Sequence, residues 1–451
     1  MKVLFSKPYL RLGILAGAYL ACQSALALNL LDVYDLALQN DPTLRAATKD
    51  YEAGLENKSI GFSAVLPKVA ASYNQNANKA TQWGAQYSGG PNISTNWTYP
   101  SNYSYVQLTQ PIFSLDAFAR WRQGVAQADF SQSKYIYNTQ DFLIRVLQAY
   151  TDFLYSLDQL QFQTAERDAF LEQFKANKTL NIKGDAAITD VLESESAYLV
   201  ANAKTIEAKD AVENAKRKLE GIIGKSIEDG ASVAGLIANF AYINLNTKSF
   251  EDWKEKALAK NAELQSAANN IEIAKQEYRK NHAGHYPVVN LIGAFSTQTS
   301  NTATTINQTF NQNYVGVQLN LPIYSGGEIN SRTNQAYANY EKAQADFDVT
   351  REKVITELRK QYDAVLSGKQ KIQALSAAQD SGSLLVKAMR KSVQNGERIN
   401  VDVLLAERGL FNTRRDLAQA KYNYLLSYLK LSQLGGTLEI EDFQKVATYF
   451  K

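Results

Sequence analysis

Two short segments of this chain carry the same chemistry at the same spacing. Gly184 stands six positions before Asp190, with Thr189 beside it; Gly396 stands six positions before Asp402, with Arg398 between them. A glycine that closes one helix, followed by a polar residue that opens the next, is the composition of a helix–turn–helix junction, and capping is its first role. Carboxylates at such a junction can also pair with a guanidinium, and repeated about an axis they form a ring that favours cations. The rest of the reactive chemistry is thin. The two histidines, His282 and His285, have a spacing that suits a metal on one helix face, but no third ligand is near, so no metal site is expected. No glycine-rich phosphate cradle and no nucleophile elbow occurs. The carboxylates alternate with Lys and Arg, as on solvated helix faces. Neither an enzyme nor a cofactor is expected.

The elements that position these junctions repeat. At a spacing of about 211–220 residues, Leu66-Pro67 recurs as Tyr286-Pro287. Gln110-Pro111-Ile112-Phe113 recurs as Leu321-Pro322-Ile323-Tyr324, the Gly-x5-Asp segment recurs, and Gly224 recurs as Gly436. Prolines and glycines kept in step mark a duplication. Each half reads as helix, strand, loop, strand, long helix, turn, helix, with Pro67, Pro111, Pro287 and Pro322 at the helix–strand junctions. The first repeat, 28–224, has helices over about 30–63, 115–179 and 186–223 and strands over 67–78 and 102–113. The second, 248–436, has helices over about 248–284, 326–395 and 400–434 and strands over 287–296 and 314–324. Segments 225–247 and 437–451 lie outside the repeats.

Heptad-like spacing runs through the helices. Leu143, Leu147, Tyr150, Leu154 and Leu157 form one apolar seam; Ala336, Tyr340, Ala343, Phe347 and Val354 form another. A helix over 115–179 spans about 100 Å at 1.5 Å per residue, and the two shorter helices of each half together match the long one. Short helices stacked beside a long one build a rod or tube, not a compact domain.

Composition and termini place the rod. The chain has 451 residues, 45% of them hydrophobic, and its mean hydropathy is −0.33, which excludes a bundle of membrane-spanning helices. Residues 1–27 read as a secretory signal: Lys2, Lys7 and Arg11, a short apolar run, then Ala25-Leu26-Ala27. Lipid attachment at Cys22 would need a better lead-in than Tyr19-Leu20-Ala21. Removal of this segment leaves 45 residues of each charge sign and no cysteine. A balanced charge argues against nucleic acid as a partner, and the lack of cysteine excludes a disulfide scaffold.

The strands alternate differently from the helices. Val315, Val317, Leu319 and Leu321 are interleaved with Tyr314, Gly316, Gln318 and Asn320, so one face is apolar and one polar. Strands of about ten residues suit a tilted bilayer crossing, and the long polar loops at 79–101 and 297–313 suit its external side. Four strands cannot close on themselves, and open edges cannot face lipid, so several chains must share one barrel. The rival reading is a periplasmic coiled-coil adaptor or scaffold that never enters a membrane; it leaves the two amphipathic hairpins unexplained.

In its ordered motifs the chain resembles the TolC family of outer-membrane channels. The carriers are Gln110-Pro111-Ile112-Phe113, Leu321-Pro322-Ile323-Tyr324-Ser325-Gly326-Gly327, Ala187-Ile188-Thr189-Asp190-Val191, Val401-Asp402-Val403-Leu404 and Ala420-Lys421-Tyr422-Asn423-Tyr424-Leu425. The resemblance implies a mostly α fold with a small β part. That is a duplicated α-helical tunnel under a twelve-stranded transmembrane β-barrel shared by a homotrimer, with 225–247 and 437–451 in an equatorial collar. It implies residence in the outer membrane of a Gram-negative bacterium, extension into the periplasm, and contact with outer-membrane lipid. The implied partners are a periplasmic adaptor and an inner-membrane ABC or proton-driven transporter, in secretion or in drug efflux. By position, Thr189 and Asp190 would face Arg398 at a closed tunnel tip, Gly184 and Gly396 would form its hairpin turns, and Asp402 would form a constriction ring. Two positions depart from the family pattern: Leu405 replaces a second acidic residue and Val393 replaces a gate tyrosine.

Overall fold

The computed structural model describes residues 28–450 except 86–87, 185–186, 229–232, 238–239, 244–248, 396 and 399; the expected signal segment and the Gly396 turn lie outside the described residues. The elements in order are α1 (Leu30–Asn40), α2 (Pro42–Phe62), β1 (Lys68–Ala85), β2 (Asn92–Phe113), α3 (Leu115–Lys183) and α4 (Ile188–Ile223). Then come α5 (Phe250–Lys260), α6 (Ala262–His282), β3 (Val288–Thr299), β4 (Thr309–Asn320), α7 (Glu328–Gln394), α8 (Asn400–Leu434) and α9 (Ile440–Ala447). The order doubles, α1 to α4 against α5 to α8.

The long helices α3 and α7 have 69 and 67 residues, about 100 Å each. Ser114 caps α3 by accepting from the Ala117 amide at 3.1 Å. Beside each long helix the shorter ones stack end to end, as their lengths require. The expected helices over 30–63 and 248–284 are each broken in two. Asp41 and Asn261 leave the helix with ψ of 114° and 125°, end one helix and cap the next. Pro42 enforces the first break, because the residue before proline is pushed out of the α region. Asn261 achieves the second by accepting from the Leu264 amide at 2.9 Å. Gly224 and Gly436 then lock the joints: both have φ of 66°. A Cβ there would lie 2.6 Å from the Asn40 Cβ and 2.5 Å from the Lys260 backbone, respectively.

Around the middle of α3 lies the main core. Val33, Phe142, Val146, Leu147, Tyr150, Leu219, Leu358, Leu425, Leu429 and Phe443 are fully buried in it. The Tyr150 hydroxyl lies 2.6 Å from the Ala234 carbonyl and 3.1 Å from that of Leu28, and its ring meets Phe450 edge-on at 5.3 Å. The start of the described chain, the inter-repeat segment and the C-terminal segment therefore all pack on one level of the rod.

The sheet is antiparallel in the order β1-β2-β3-β4, with β1 and β4 as free edges. β1 and β2 run much further than expected. Most of 79–101 is not a loop but a two-stranded ribbon, paired from Asn76↔Ser101 to Ala85↔Asn92, that extends beyond the β3 pairing. Its Gly-, Ser- and Asn-rich sequence lacks alternation because it projects past the four-stranded sheet, and ladder hydrogen bonds hold it without an apolar face. The β3–β4 connection is likewise shorter than expected, and Pro322 falls beyond the end of β4.

Candidate functional site

The turn between α3 and α4 is built as a cap. Gly184 has φ of 85°, and its amide donates to the Asn181 carbonyl at 2.9 Å. Thr189 and Asp190 are exposed in the first turn of α4, where a carboxylate meets the positive end of the helix dipole. From α3, the Asn177 amide donates to the Asp190 carbonyl at 3.1 Å and holds the turn shut. In the second hairpin Arg398 and Asp402 come together, one helical turn apart, with N–O separation of 3.7 Å. Arg398 is exposed and Asp402 half-buried. Among the described residues no ion pair within this single chain joins Arg398 to Asp190. The Arg398 charge is shared with Asp402, its own neighbour, and the Asp190 carboxylate faces outward.

Above the tip the structure shows links between helices that sequence spacing did not reveal. Arg390 of α7 reaches Glu407 of α8 at 2.5 Å, closing the second hairpin. Glu166 of α3 pairs with Arg408 of α8 at 3.1 Å and is nearly buried, which ties the first hairpin to the second. Further along the same seam Phe162 meets Phe411 at 6.4 Å, and the Tyr422 hydroxyl donates to Asp158 at 3.0 Å. Burial pushes the Asp158 carboxyl up from the usual carboxylate range, against the pull of the Tyr422 hydrogen bond. Burial, then the Asp158 charge, pushes the Tyr422 phenol up strongly. Asp158, Phe162 and Glu166 are spaced by four, so they form one stripe of α3; only knowledge that α3 meets α8 would have singled them out.

At the other end of the rod, register sorts the sheet. Val69, Ala71, Val106, Leu108, Leu291, Phe295, Val315 and Val317 lie on one face, while Ala70, Ser72, Tyr105, Gln107, Ser296, Gln312 and Gln318 lie on the other. The apolar face is bare: Val315 is 79% exposed, Val317 66% and Leu319 64%. Pro67 and Pro287 stand just before β1 and β3, and Pro111 lies near the end of β2, opposite Asn290. His282 and His285 meet ring to ring at 5.8 Å among Tyr278 and Tyr286. Among the described residues no group of three potential metal ligands exists. Among the described residues no helix is long and apolar enough to cross a membrane.

Comparison with known proteins gives the arrangement its place. Residues 33–225 and, separately, 253–437 match the outer membrane efflux protein family. The chain belongs to this family. The two matches fall on the two repeats. The alkaline protease secretion protein AprF of Pseudomonas aeruginosa is 36% identical over 97% of this chain and 90% of its own length. The outer membrane protein TolC of Escherichia coli is 28% identical over 96% of this chain and 87% of its own. Among solved structures, the Campylobacter jejuni CmeC outer membrane channel superposes with a TM-score of 0.75 at 18% identity, covering 94% of this chain and 90% of that one. Membership makes the rod a periplasmic tunnel and the sheet part of an outer-membrane barrel. The protein is an outer-membrane exit duct of the TolC type, in a family of channels rather than enzymes; channels of this family are trimers that work with adaptors and inner-membrane transporters. The free-standing adaptor reading falls, because the whole length matches channels.

Proposed function

We propose that three copies of this chain form the duct through which a type I secretion system passes a folded-late protein substrate, such as a protease, from an inner-membrane ABC transporter and its adaptor to the exterior. The observation that carries this reading is the near full-length similarity to two protease secretion proteins, AprF at 36% identity and PrtF of Dickeya chrysanthemi at 32%. The bare edges of β1 and β4 and the exposed apolar face support the shared barrel. Exposed Leu192, Leu199, Val200 and Leu384 on the lower helices support neighbours there as well.

Gating belongs to the tip. In the assembled ring, Thr189 and Asp190 of one hairpin meet Arg398 of another, Gly184 and Gly396 shape the turns, and Asp402 lines the constriction with its charge partly masked by Arg398. Each exposed pair contributes only about 0.2–1 kcal/mol, so a docking partner can release them. The deciding experiment is secretion. In cells lacking their own duct, this chain is co-produced with the alkaline-protease transporter and adaptor, and extracellular protease is measured. Protease in the medium is the expected result. Protease retained in cells whose outer membranes contain the chain, with drug resistance restored instead, would replace secretion by efflux.

A further inference from the structure

The junction between barrel and tunnel carries a second polar cluster, on the outer side of the wall. Register fixes which side is which. Lys68 and Asn290 belong to the polar face of the sheet, and they share a cleft with Asp116, Arg120 and Gln123 of α3. That flank of α3 continues the lumen. Phe118 and Arg122 follow Asp116 and Arg120 by two residues each, about 200° around the helix, and so occupy the opposite flank, beneath the apolar face. There they line a separate cleft of about 210 Å³ with Tyr278, Arg279, His282 and Tyr286.

The charges on the two flanks are treated differently. Arg120 is neutralised by Asp116 at 2.7 Å. Arg122 instead lies over the Phe118 ring at 4.8 Å, and among the described residues neither Arg122 nor Arg279 has a carboxylate within ion-pair distance. The walls are aromatic: Tyr278 and Tyr286 flank His282 at 5.9 and 5.7 Å, and Trp121 packs between Phe118 and Phe62 at 5.5 and 5.7 Å. Rings of this kind gather at the level of lipid headgroups, and guanidinium groups bind phosphate oxygens in bidentate fashion.

We infer that this cleft binds the phosphodiester headgroup of a phospholipid of the periplasmic leaflet, with Arg122 and Arg279 on the phosphate and Phe118, Tyr278 and Tyr286 against the glycerol and first acyl carbons. The cleft itself selects this occupant. A free anion would satisfy the guanidinium groups and leave the exposed faces of Phe118 and Tyr286 uncovered. A neutral lipid would cover the rings and leave two cations uncompensated at the edge of a low-dielectric region. A phospholipid meets both needs, and it is supplied where the apolar sheet face ends. The inference rests on the lipid-facing assignment of that face.

The test uses the purified full-length protein in detergent, with bound lipid counted by native mass spectrometry. Probes are phosphatidylglycerol, dioleoylglycerol and inorganic phosphate; variants are R122Q/R279Q and, as a lumenal control, R120Q. The wild type and R120Q are expected to retain phosphatidylglycerol, and R122Q/R279Q to lose it by about tenfold or more, as expected for charged hydrogen bonds. Dioleoylglycerol should not be retained, and millimolar phosphate should not displace the lipid. Equal retention by R122Q/R279Q, equal retention of dioleoylglycerol, or displacement by phosphate would each overturn the assignment, the last leaving a simple anion site. Conductance in planar bilayers separates the two levels of the argument. A wild type that inserts and conducts without selective retention loses only the headgroup site, whereas a wild type that fails to insert loses the lipid-facing face.

Discussion

At the scale of single residues, the proposed gate turns on which carboxylate each guanidinium serves. Arg398, in the bend before α8, lies 3.7 Å from Asp402, so in the proposed constriction it would mask the Asp402 charge and be shared with a partner on the neighbouring hairpin. Removing it therefore exposes Asp402. R398A is expected to raise the cation preference of the open channel, and D402N to lower it, each by no more than about fivefold, the ceiling for an exposed pair of about 1 kcal/mol. Reversal potentials in a planar bilayer under a salt gradient measure both, and a shift of the same sign in the two variants would contradict the assignment. Glu277 shows the same competition away from the tip. Burial pushes its carboxyl up, but hydrogen bonds from Lys280, Gln123 and Asn281 outweigh this and hold it below its ordinary value. A lowered folded pKa means that its stabilising contribution is full above the ordinary carboxylate pKa and fades as pH falls through the depressed one. The melting temperature of E277Q should accordingly lie below that of wild type at pH 7 and converge with it as pH falls through the depressed pKa; a gap that persists below it would assign the effect to packing instead.

At the scale of elements, duplicated joints decide how the short helices stack. Gly436 combines a φ of 66° with a Cβ position 2.5 Å from the Lys260 backbone, so G436A should destabilise the protein by about 1–3 kcal/mol. Gly409, inside α8 with open space around it in this chain, is the counterpart: G409A should stabilise by about 0.5–1 kcal/mol. Thermal melts of the two variants in detergent are expected to move in opposite directions, and a common direction would refute the joint. The duplication, the long helices and the apolar seam at Leu143, Leu147, Tyr150 and Leu154 were legible in the sequence, because period and punctuation are written along the chain. The break at Asn261 was not, because nothing forbids asparagine inside a helix until its side chain is seen to cap the next one. The ribbon of β1 and β2 was hidden for a related reason: an extended pair with water on both faces has no need of alternation. The Glu166–Arg408 and Asp158–Tyr422 contacts were illegible in a stronger sense, since they depend on α3 meeting α8 across more than two hundred residues of chain.

At the scale of the whole molecule, the single chain is incomplete in a specific way. Every residue of β4 is exposed, β1 is nearly so, and both edges carry unpaired backbone groups. In lipid each unsatisfied group costs several kcal/mol, so the edges must be paired, and four strands cannot curl far enough to pair with each other. The economical closure joins β4 of one copy to β1 of the next. Three copies give twelve strands above, and below them the α2–α3 and α6–α7 columns continue the same ring, since α2 packs on α3, α3 on α6 and α6 on α7. The closure has a direct chemical test, helped by the single Cys22, which falls in the expected signal segment. Cysteines placed on the lumenal face of β4, at Tyr314, Gly316 or Gln318, are paired with a cysteine at Ala70 of β1 and treated with a short bis-maleimide. Scanning three positions allows for the stagger between strands that any closed barrel requires. At least one pair should give a covalent species of three chains on a denaturing gel, while each single cysteine gives none. Outer-membrane protein that yields monomers from every pair would mean that β1 and β4 do not meet, and that the barrel closes through some other edge.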